Sequence, residues 1–570
     1  GYDGSDNVRI APSNVGGGAT SLNGLSDVLI DGTSDYFVNI PAGLSGNPAD
    51  NLIIGSNAGT DLTTGTENVL IGKDAGENVI GATENTFVGV DSGTFITAGS
   101  RNTFLGNSAG FTTGNSITDM VAVGFKAATY AAAGSAIAIG REAGRSNSGN
   151  GRIDMGYRAG YSNTSGSWNI NIGYFAAYTN TTGSDNTVIG TESGYNNTAT
   201  GNTFLGYQAG YTNSSGDGNV SVGHKASYTN ATGSNRTSIG YQASYYATGG
   251  QNVAVGYRAL YGAAAGSTGG NNVAVGKEAL ENLTTGFKTV AIGVGAGNDV
   301  TEGEANTCVG AFAGDKITDG DNNVVIGSDG AGALTTGSNN IVVGTAMIAN
   351  VDGSDNVVIG NGAMDAATSD DRCVAIGHNA LAAQNQTFAP QNVAVGYGAD
   401  DGNTTGYYRT NIGAGTGNAS ATGDNVTNIG YGAGASSASA DNEVTLGDSS
   451  VTAIRGAVTT ITAISDERDK TSIEDLPYGL DFVDSLKPRK FVWNHRAETN
   501  KDGEEFYSSR KGSKDIGFIA QELQEVDDEW TSLVYASNPD KLEASYGRLI
   551  PVLVKAIQEL KAEVEALKAS

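Results

Sequence analysis

The sequence predicts a mainly β molecule, a β-solenoid or β-roll built on a 17-residue repeat and followed by a small α+β domain that ends in a coiled-coil helix. Three observations predict it. A glycine preceded by an aliphatic residue returns about every seventeen residues, from Gly55, Gly72, Gly89 and Gly106 through to Gly430 and Gly447. Glycine accounts for 85 of the 570 residues, and 80 of them precede residue 465. The remaining hundred or so residues are charge-rich and glycine-poor, an ordinary globular composition.

Residues 1–50 read as an irregular β lead-in, with turn-rich runs such as Gly16-Gly17-Gly18 and a strand near Asp27–Ile30. Residues 51–450 form the repeat shaft. Counted from each anchor glycine, position −1 is always Ile, Val, Leu or Met, position −3 is Val, Ile, Leu or Thr, and position +3 is mostly Ala. The glycine ends a short strand, the alanine lets a second segment approach closely, and a Thr/Asn/Ser/Gly turn such as Thr181-Thr182-Gly183-Ser184 follows. Positions −3 and −1 share one side of the strand and are expected, with +3, to fill the core. Position −2 (Phe104, Ala122, Asp154, Asn171, Ser221) is mixed and lies on the other side. A fixed period with one buried face per unit means stacked coils. At about 4.8 Å per layer, 24 layers would span on the order of 115 Å. So thin a core suggests that several chains, three being the expectation, wind together and bury more apolar surface between them. A self-contained monomeric solenoid is the alternative.

Residues 451–464 connect to the C-terminal domain, 465–570. Its last helix, 549–568, places Ile550, Ile557 and Val564 at a and Leu553, Leu560 and Leu567 at d of a heptad, a coiled coil that reads as the trimerisation element. In simple peptides β-branched a with Leu d favours two strands, so the pattern alone does not establish three.

Composition excludes several classes. The formal net charge is −28, and no basic stripe appears, which argues against nucleic acid. Segment 465–570 carries 15 Lys+Arg and 22 Asp+Glu, a net of −7. Collagen is excluded by the absence of a G-X-Y triplet. No run of eighteen apolar residues exists, so no membrane insertion is expected. Cys308 and Cys373 sit at different phases of the repeat and read as small apolar fillers, not as a disulfide. His224, His378 and His495 are isolated, and acidic turns such as Asp352-Gly353-Ser354-Asp355 and Asp319-Gly320-Asp321 lack the twelve-residue calcium loop, so neither metal nor cofactor is expected. The chain opens on Gly1 without Met or a signal peptide, which suggests a fragment. Because it runs on to residue 570, it is expected to be an uncut precursor.

Two resemblances add to this reading. The N-T/V-x-I/V-G-x-x-A-G repeat, over roughly residues 50–450, is similar to the β-roll heads of bacterial trimeric autotransporter adhesins and to the shafts of phage tail fibres. The last segment carries Ser465-Asp466-Glu467-Arg468-Asp469-Lys470, Phe491-Val492-Trp493, Asp515-Ile516-Gly517-Phe518-Ile519-Ala520-Gln521-Glu522-Leu523, Leu533-Val534-Tyr535, Tyr546-Gly547-Arg548-Leu549 and Leu553-Val554-Lys555-Ala556-Ile557-Gln558-Glu559-Leu560. In that order these blocks resemble the endosialidase-type intramolecular chaperone, an autoproteolytic serine peptidase at the C-terminus of many phage tail fibres and tailspikes. The resemblance implies three chains, Ser465 as nucleophile, Lys470 as general base, and cleavage of the Ile464–Ser465 bond. A five-residue spacing can bring the two side chains together across a turn into a helix. The plainer reading of Ser465-Asp466 is a helix N-cap. The sequence departs from many relatives at Asp469, where they carry Leu, and at Lys470-Thr471-Ser472-Ile473, where they carry a K-x-N-I run. An acid beside the lysine is expected to hinder loss of its proton and slow cleavage.

Tyr161, Tyr178, Tyr195, Tyr211, Tyr228, Tyr245 and Tyr261 fall five residues past consecutive anchors, and Tyr157, Tyr174, Tyr207, Tyr241 and Tyr257 one past. The +5 set reads first as a structural ladder or an inter-chain seam, and otherwise as a surface that stacks on host sugars. Asn163, Asn180, Asn197, Asn213 and Asn230 read as turn residues. The expected molecule is thus a homotrimeric phage tail fibre of the virion, made in the host cytoplasm. It would bind a host cell-surface glycan or protein receptor and join other tail proteins through a missing N-terminal part. A polysaccharide-degrading tailspike would need a carboxylate-lined groove in a non-repetitive insertion. A bacterial trimeric adhesin would need a signal peptide and a C-terminal barrel.

Overall fold

The computed structural model describes residues 28–29, 36–38, 50–111, 116–130, 134–146, 148–264, 266–385, 389–417, 421–451, 453–455, 465–494, 498–499, 505–506, 511–536 and 542–570. They form two compact units, Gly1–Asn340 and Ile341–Ser570.

In the first unit β1 (Val28–Leu29) pairs antiparallel with β2 (Tyr36–Val38), Val28 opposite Val38. Seventeen three-residue strands follow among the described residues, from β3 (Leu52–Ile54) to β19 (Val324–Ile326). Neighbouring strands run parallel and in repeat register: Val69 lies beside Thr86, Thr86 beside Thr103, and Ile170 beside Thr187. Every repeat position therefore becomes a column running from coil to coil, a β-solenoid.

The middle residue of each strand is the buried one. Ile53, Leu70, Phe87 and Phe104, all at −2, are fully buried, whereas their neighbours at −3 and −1 are half-exposed. The expectation that −3 and −1 fill the core is overturned. A three-residue strand sends two side chains one way and one the other. The coil is so narrow that its interior accepts only the single one, closed over by Ala58, Ala75 and Ala109 at +3 and by Leu62, Val79 and Ile96 at +7. The Phe87 and Phe104 rings stack at 4.7 Å and 6°.

Two devices hold the coils together. From Gly55 to Gly327 the anchor glycines adopt φ near +130 to +143°, and a Cβ on Gly190 would stand 2.4 Å from the Gly206 carbonyl oxygen, so no other residue fits there. At −4, buried asparagines form a ladder. Asn68 Nδ2 donates to Asn51 Oδ1 at 3.0 Å and Asn85 to Asn68 at 3.0 Å, while each Nδ2 also reaches a glycine or alanine carbonyl of the next turn. Asn180 and Asn230, both at +7, act in a similar way inside the turn: Asn180 Oδ1 accepts from Gly183 N at 2.8 Å and Asn230 Oδ1 from Gly233 N at 2.9 Å. An interior hydrogen bond thus replaces apolar area where the −2 column turns polar at Asp154 and Asn171, the Asn171 amide donating to the Asp154 carboxylate at 2.7 Å.

The second unit opens with seven coils of the same design, β20 (Ile341–Val343) to β26 (Val444–Leu446). From residue 465 the pattern changes. A 3₁₀ turn at Glu467–Asp469 precedes α1 (Leu480–Ser485), β27 (Arg489–Val492), β28 (Glu498–Thr499), β29 (Glu505–Phe506), β30 (Lys514–Gly517), α2 (Ala520–Gln524), β31 (Val534–Tyr535), β32 (Glu543–Ala544) and α3 (Leu549–Ala569). β27 and β30 pair antiparallel, as do β28 with β29 and β31 with β32. Leu523, Leu533 and Leu549 form a small core with Phe482, Leu486 and Phe518 packed against it. Gly479 offers α1 no capping side chain, and Glu559 of α3 supplies one instead by accepting the Leu480 N–H at 2.7 Å.

Candidate active site

The chemistry-bearing segment begins at Ser465. Asp466, not Ser465, caps the 3₁₀ turn: its carboxylate accepts the Arg468 N–H at 2.9 Å and grips the Arg468 guanidinium at 2.9 and 2.6 Å. Those bonds hold the Asp466 carboxyl below its ordinary range. The Lys470 N–H donates to Glu467 O at 3.0 Å and closes the turn. With the capping role taken by its neighbour, the Ser465 hydroxyl is left for other work. The Lys470 ammonium donates to Ser465 Oγ at 2.5 Å and to the Ser465 carbonyl at 3.4 Å. A five-residue separation has become one hydrogen bond. Both residues are exposed. Ile464 lies outside the described residues.

Elsewhere the domain is braced by carboxylates. Asp527 accepts the Leu533 and Val534 N–H groups at 2.6 and 2.8 Å. Asp528 accepts from Trp530 and Thr531 N–H and from the Tyr478 hydroxyl, and it is held below its ordinary range by those donors, Tyr478 foremost. Arg489 clasps Glu522 at 2.6 and 2.9 Å. An open cleft lies between α1 and α3, lined by Pro477, Tyr478, Phe482, Val526 and Glu559, and neither Ser465 nor Lys470 lines it.

The remaining residues singled out by sequence are placed as follows. Ile550, Leu553, Ile557, Leu560, Val564 and Leu567 all lie exposed along α3, while Leu549, Val552 and Ala556 on its other face are buried. The seven +5 tyrosines, from Tyr161 to Tyr261, form a half-buried column with successive rings stacked at 5.0 to 5.3 Å, so each ring's faces are covered by its neighbours. His224 fills the +1 column, sandwiched between Tyr207 and Tyr241 at 5.1 and 5.0 Å, and His378 stacks on Tyr397. His495 lies outside the described residues. Cys308 and Cys373 are free and buried. Among the described residues no three His, Cys, Asp or Glu side chains converge as a metal site, and no helix is long and apolar enough to cross a membrane.

Sequence reasoning missed three features. Asp466 displaces Ser465 from the cap, Glu559 caps α1 from 79 residues away, and charged pairs sit inside the coils. Arg152 at −4 binds Asp154 at 2.8 and 3.0 Å, with Asn171 donating to the same carboxylate at 2.7 Å. Arg409 at −4 binds Asp400 through Nε at 2.8 Å and through Nη2. A basic residue at a position that is mostly asparagine was the available signal.

Residues 465–532 match the family model described as chaperone of endosialidase, a serine peptidase family whose general activity is autoproteolysis. No curated protein and no solved structure matches the chain. A chaperone segment of this family behind a long β-solenoid is consistent with a tail fibre- or tailspike-like protein.

Proposed function

We propose that the chain is a homotrimeric phage tail fibre protein that attaches to a host surface and matures by cutting itself between Ile464 and Ser465. The observation that carries this reading is the Lys470 ammonium on the Ser465 hydroxyl, inside a segment similar to self-cleaving chaperones. Lys470, once deprotonated, takes the Oγ proton. Oγ attacks the Ile464 carbonyl carbon, the Ser465 nitrogen leaves as an amine with that proton, and water hydrolyses the resulting ester to a free Ile464 carboxylate. A lysine serves as base where desolvation or a neighbouring cation eases loss of its proton. In the single chain both residues stand exposed, and cover supplied by partner copies on assembly would tie cutting to trimerisation.

Two exposed apolar surfaces support a trimer. One is the six-residue face of α3. The other is the outward −3/−1 face of the coils: none of its residues is charged, and Leu105, Leu205, Ile239, Ile292 and Ile326 stay 38 to 44% exposed. Along the −1 column of the first unit every residue is aliphatic or Met and at least partly exposed, a continuous apolar stripe rather than scattered single residues. A second and third copy are the occupants whose columns repeat with the same period. The α3 bundle would gather three chain ends and set their register, because similar coils can mispair by whole repeats. Cleavage then removes the bundle and leaves a shaft that is slow to unfold. Host glycan or protein receptors and other tail proteins are its partners.

Intact-mass analysis of the expressed chain beside Ser465→Ala and Lys470→Ala tests this. The parent is expected to lose a fragment of roughly a hundred residues and both variants to stay whole. Identical masses for all three would remove the dyad.

A further inference from the structure

Three arginines occupy the interior −4 position, and only two have an internal counter-charge. Arg152 has Asp154, at −2 of its own coil. Arg409 has Asp400, at +4 of the preceding coil. Arg236 is just as fully buried, yet among the described residues no carboxylate meets it. Its equivalents of those two acids are Ser238 (−2 of its own coil) and Ser227 (+4 of the preceding coil). One guanidinium nitrogen, Nη1, donates to Ala247 O at 2.5 Å, while Nε and Nη2 have no partner.

The surroundings of Arg236 are unsatisfied in the same way. The hydroxyls of Ser221, Ser227, Ser238 and Ser244 are buried without hydrogen-bond partners. Ser221 and Ser238 are side by side in the parallel ladder. The +4 position points at the guanidinium: in the Arg152 coil, a Cβ on Gly160 would stand 2.5 Å from Arg152 Nη2. Ser244 holds that place in the Arg236 coil. Four hydroxyls and two guanidinium nitrogens, Nε and Nη2, are thus enclosed with no acceptor charge. The side chains there are small, where the Phe204 coil just before them has a ring at −2.

We propose that these groups bind a buried monovalent anion of halide size, chloride in the cell, which takes the place that Asp154 and Asp400 fill in the sister coils. Burying a guanidinium without a counter-charge is costly, and waters alone would supply dipoles but no charge. Burial draws Arg236 down to about 10, still above neutrality, so it is a cation when the coil closes. The anion is enclosed between coils during folding and therefore acts as a structural ion.

The test is to fold and crystallise the full chain in bromide and to collect anomalous diffraction. A bromide peak is expected within hydrogen-bond distance of Arg236 Nη2 or Nε and the serine hydroxyls. Ser238→Asp, which restores the carboxylate of the Arg152 coil, is expected to fold to the same coils and lose the peak. Amide exchange of the strands Val220–Val222 and Thr237–Ile239 supplies a solution measurement. In the parent chain, protection is expected to rise about tenfold per tenfold chloride at constant ionic strength (balanced with gluconate), and in Ser238→Asp not to change. Water density without an anomalous peak in the parent crystals, or protection indifferent to chloride, overturns the proposal.

Discussion

Gly190→Ala tests whether the anchor glycine is what allows the coils to stack. Gly190 has φ +136°, and an added Cβ would lie 2.4 Å from the Gly206 oxygen and 2.7 Å from its carbon. Normal contact is about 3.5 Å, so the two coils must part by roughly 1 Å. That strains the two bonds beside the contact, from the Gly206 N–H to Ile189 O at 2.8 Å and from the Gln208 N–H to Thr191 O at 3.0 Å. Two such bonds contribute about 1 kcal/mol each, and the forbidden φ adds about 1–3 kcal/mol, giving about 3–5 kcal/mol. Gly201→Ala is the matched control: its φ is +71° and the nearest atom to a Cβ is 3.9 Å away, so only the left-handed cost of about 1–2 kcal/mol applies. Coils couple to their nearest neighbours, so the damage stays local. Hydrogen exchange by mass spectrometry should speed up by about two to four orders of magnitude in the coils of Gly173, Gly190 and Gly206 for Gly190→Ala. For Gly201→Ala the increase should be about tenfold. Equal acceleration in both variants would refute the stacking argument.

Other perturbations probe the interior and the tail. Burial pushes both Cys308 and Cys373 up to about 12 from 9.0, a roughly thousandfold smaller thiolate fraction, so neither thiol should react with a disulfide reagent at pH 8 until the chain is unfolded. Asp400→Ala should cost about 3–5 kcal/mol in denaturant unfolding by stranding Arg409, while Asp400→Leu with Arg409→Met should be close to neutral. Burial pushes the Glu142 carboxyl up, but Arg158 at 2.5 Å and the arginines beside it pull it below its ordinary value. Its folded form therefore binds fewer protons than the unfolded one. The stability it contributes is full above about pH 4.5 and is lost as pH falls, so Glu142→Gln should flatten the acid limb of stability against pH. Gly479→Ala, whose Cβ would sit 1.9 Å from Glu559 Oε2, should push that carboxylate off the Leu480 N–H and raise exchange in the first turn of α1.

The period, the anchor glycines and the repeat strands were legible because they follow from backbone geometry, which one sequence encodes directly. Which strand face is buried was misread. Alternation identifies two faces but does not say which is enclosed, and the uniform aliphatic columns at −3 and −1 have the composition of a core. A signal was present. Wherever −2 is Phe, at Phe87, Phe104 and Phe204, position +4 is glycine, at Gly93, Gly110 and Gly210, because a Cβ there would stand 2.4 to 2.6 Å from the ring. That covariation marks −2 and +4 as facing each other inside the coil. At the tail, the spacing of Ser465 and Lys470 was readable but the capping competition was not: Ser465 and Asp466 are both good caps, and only the three-dimensional turn assigns the role to Asp466. The Glu559 cap joins residues far apart in sequence, and no local pattern announces it.

Native mass spectrometry of the purified full-length expression product addresses the proposed assembly most directly. Three copies of a chain ending at Ile464, with the C-terminal fragment released, are the predicted species, and Ser465→Ala should give three uncut copies. A uniformly monomeric intact chain, with the aliphatic face and the α3 heptad left uncovered, would contradict it.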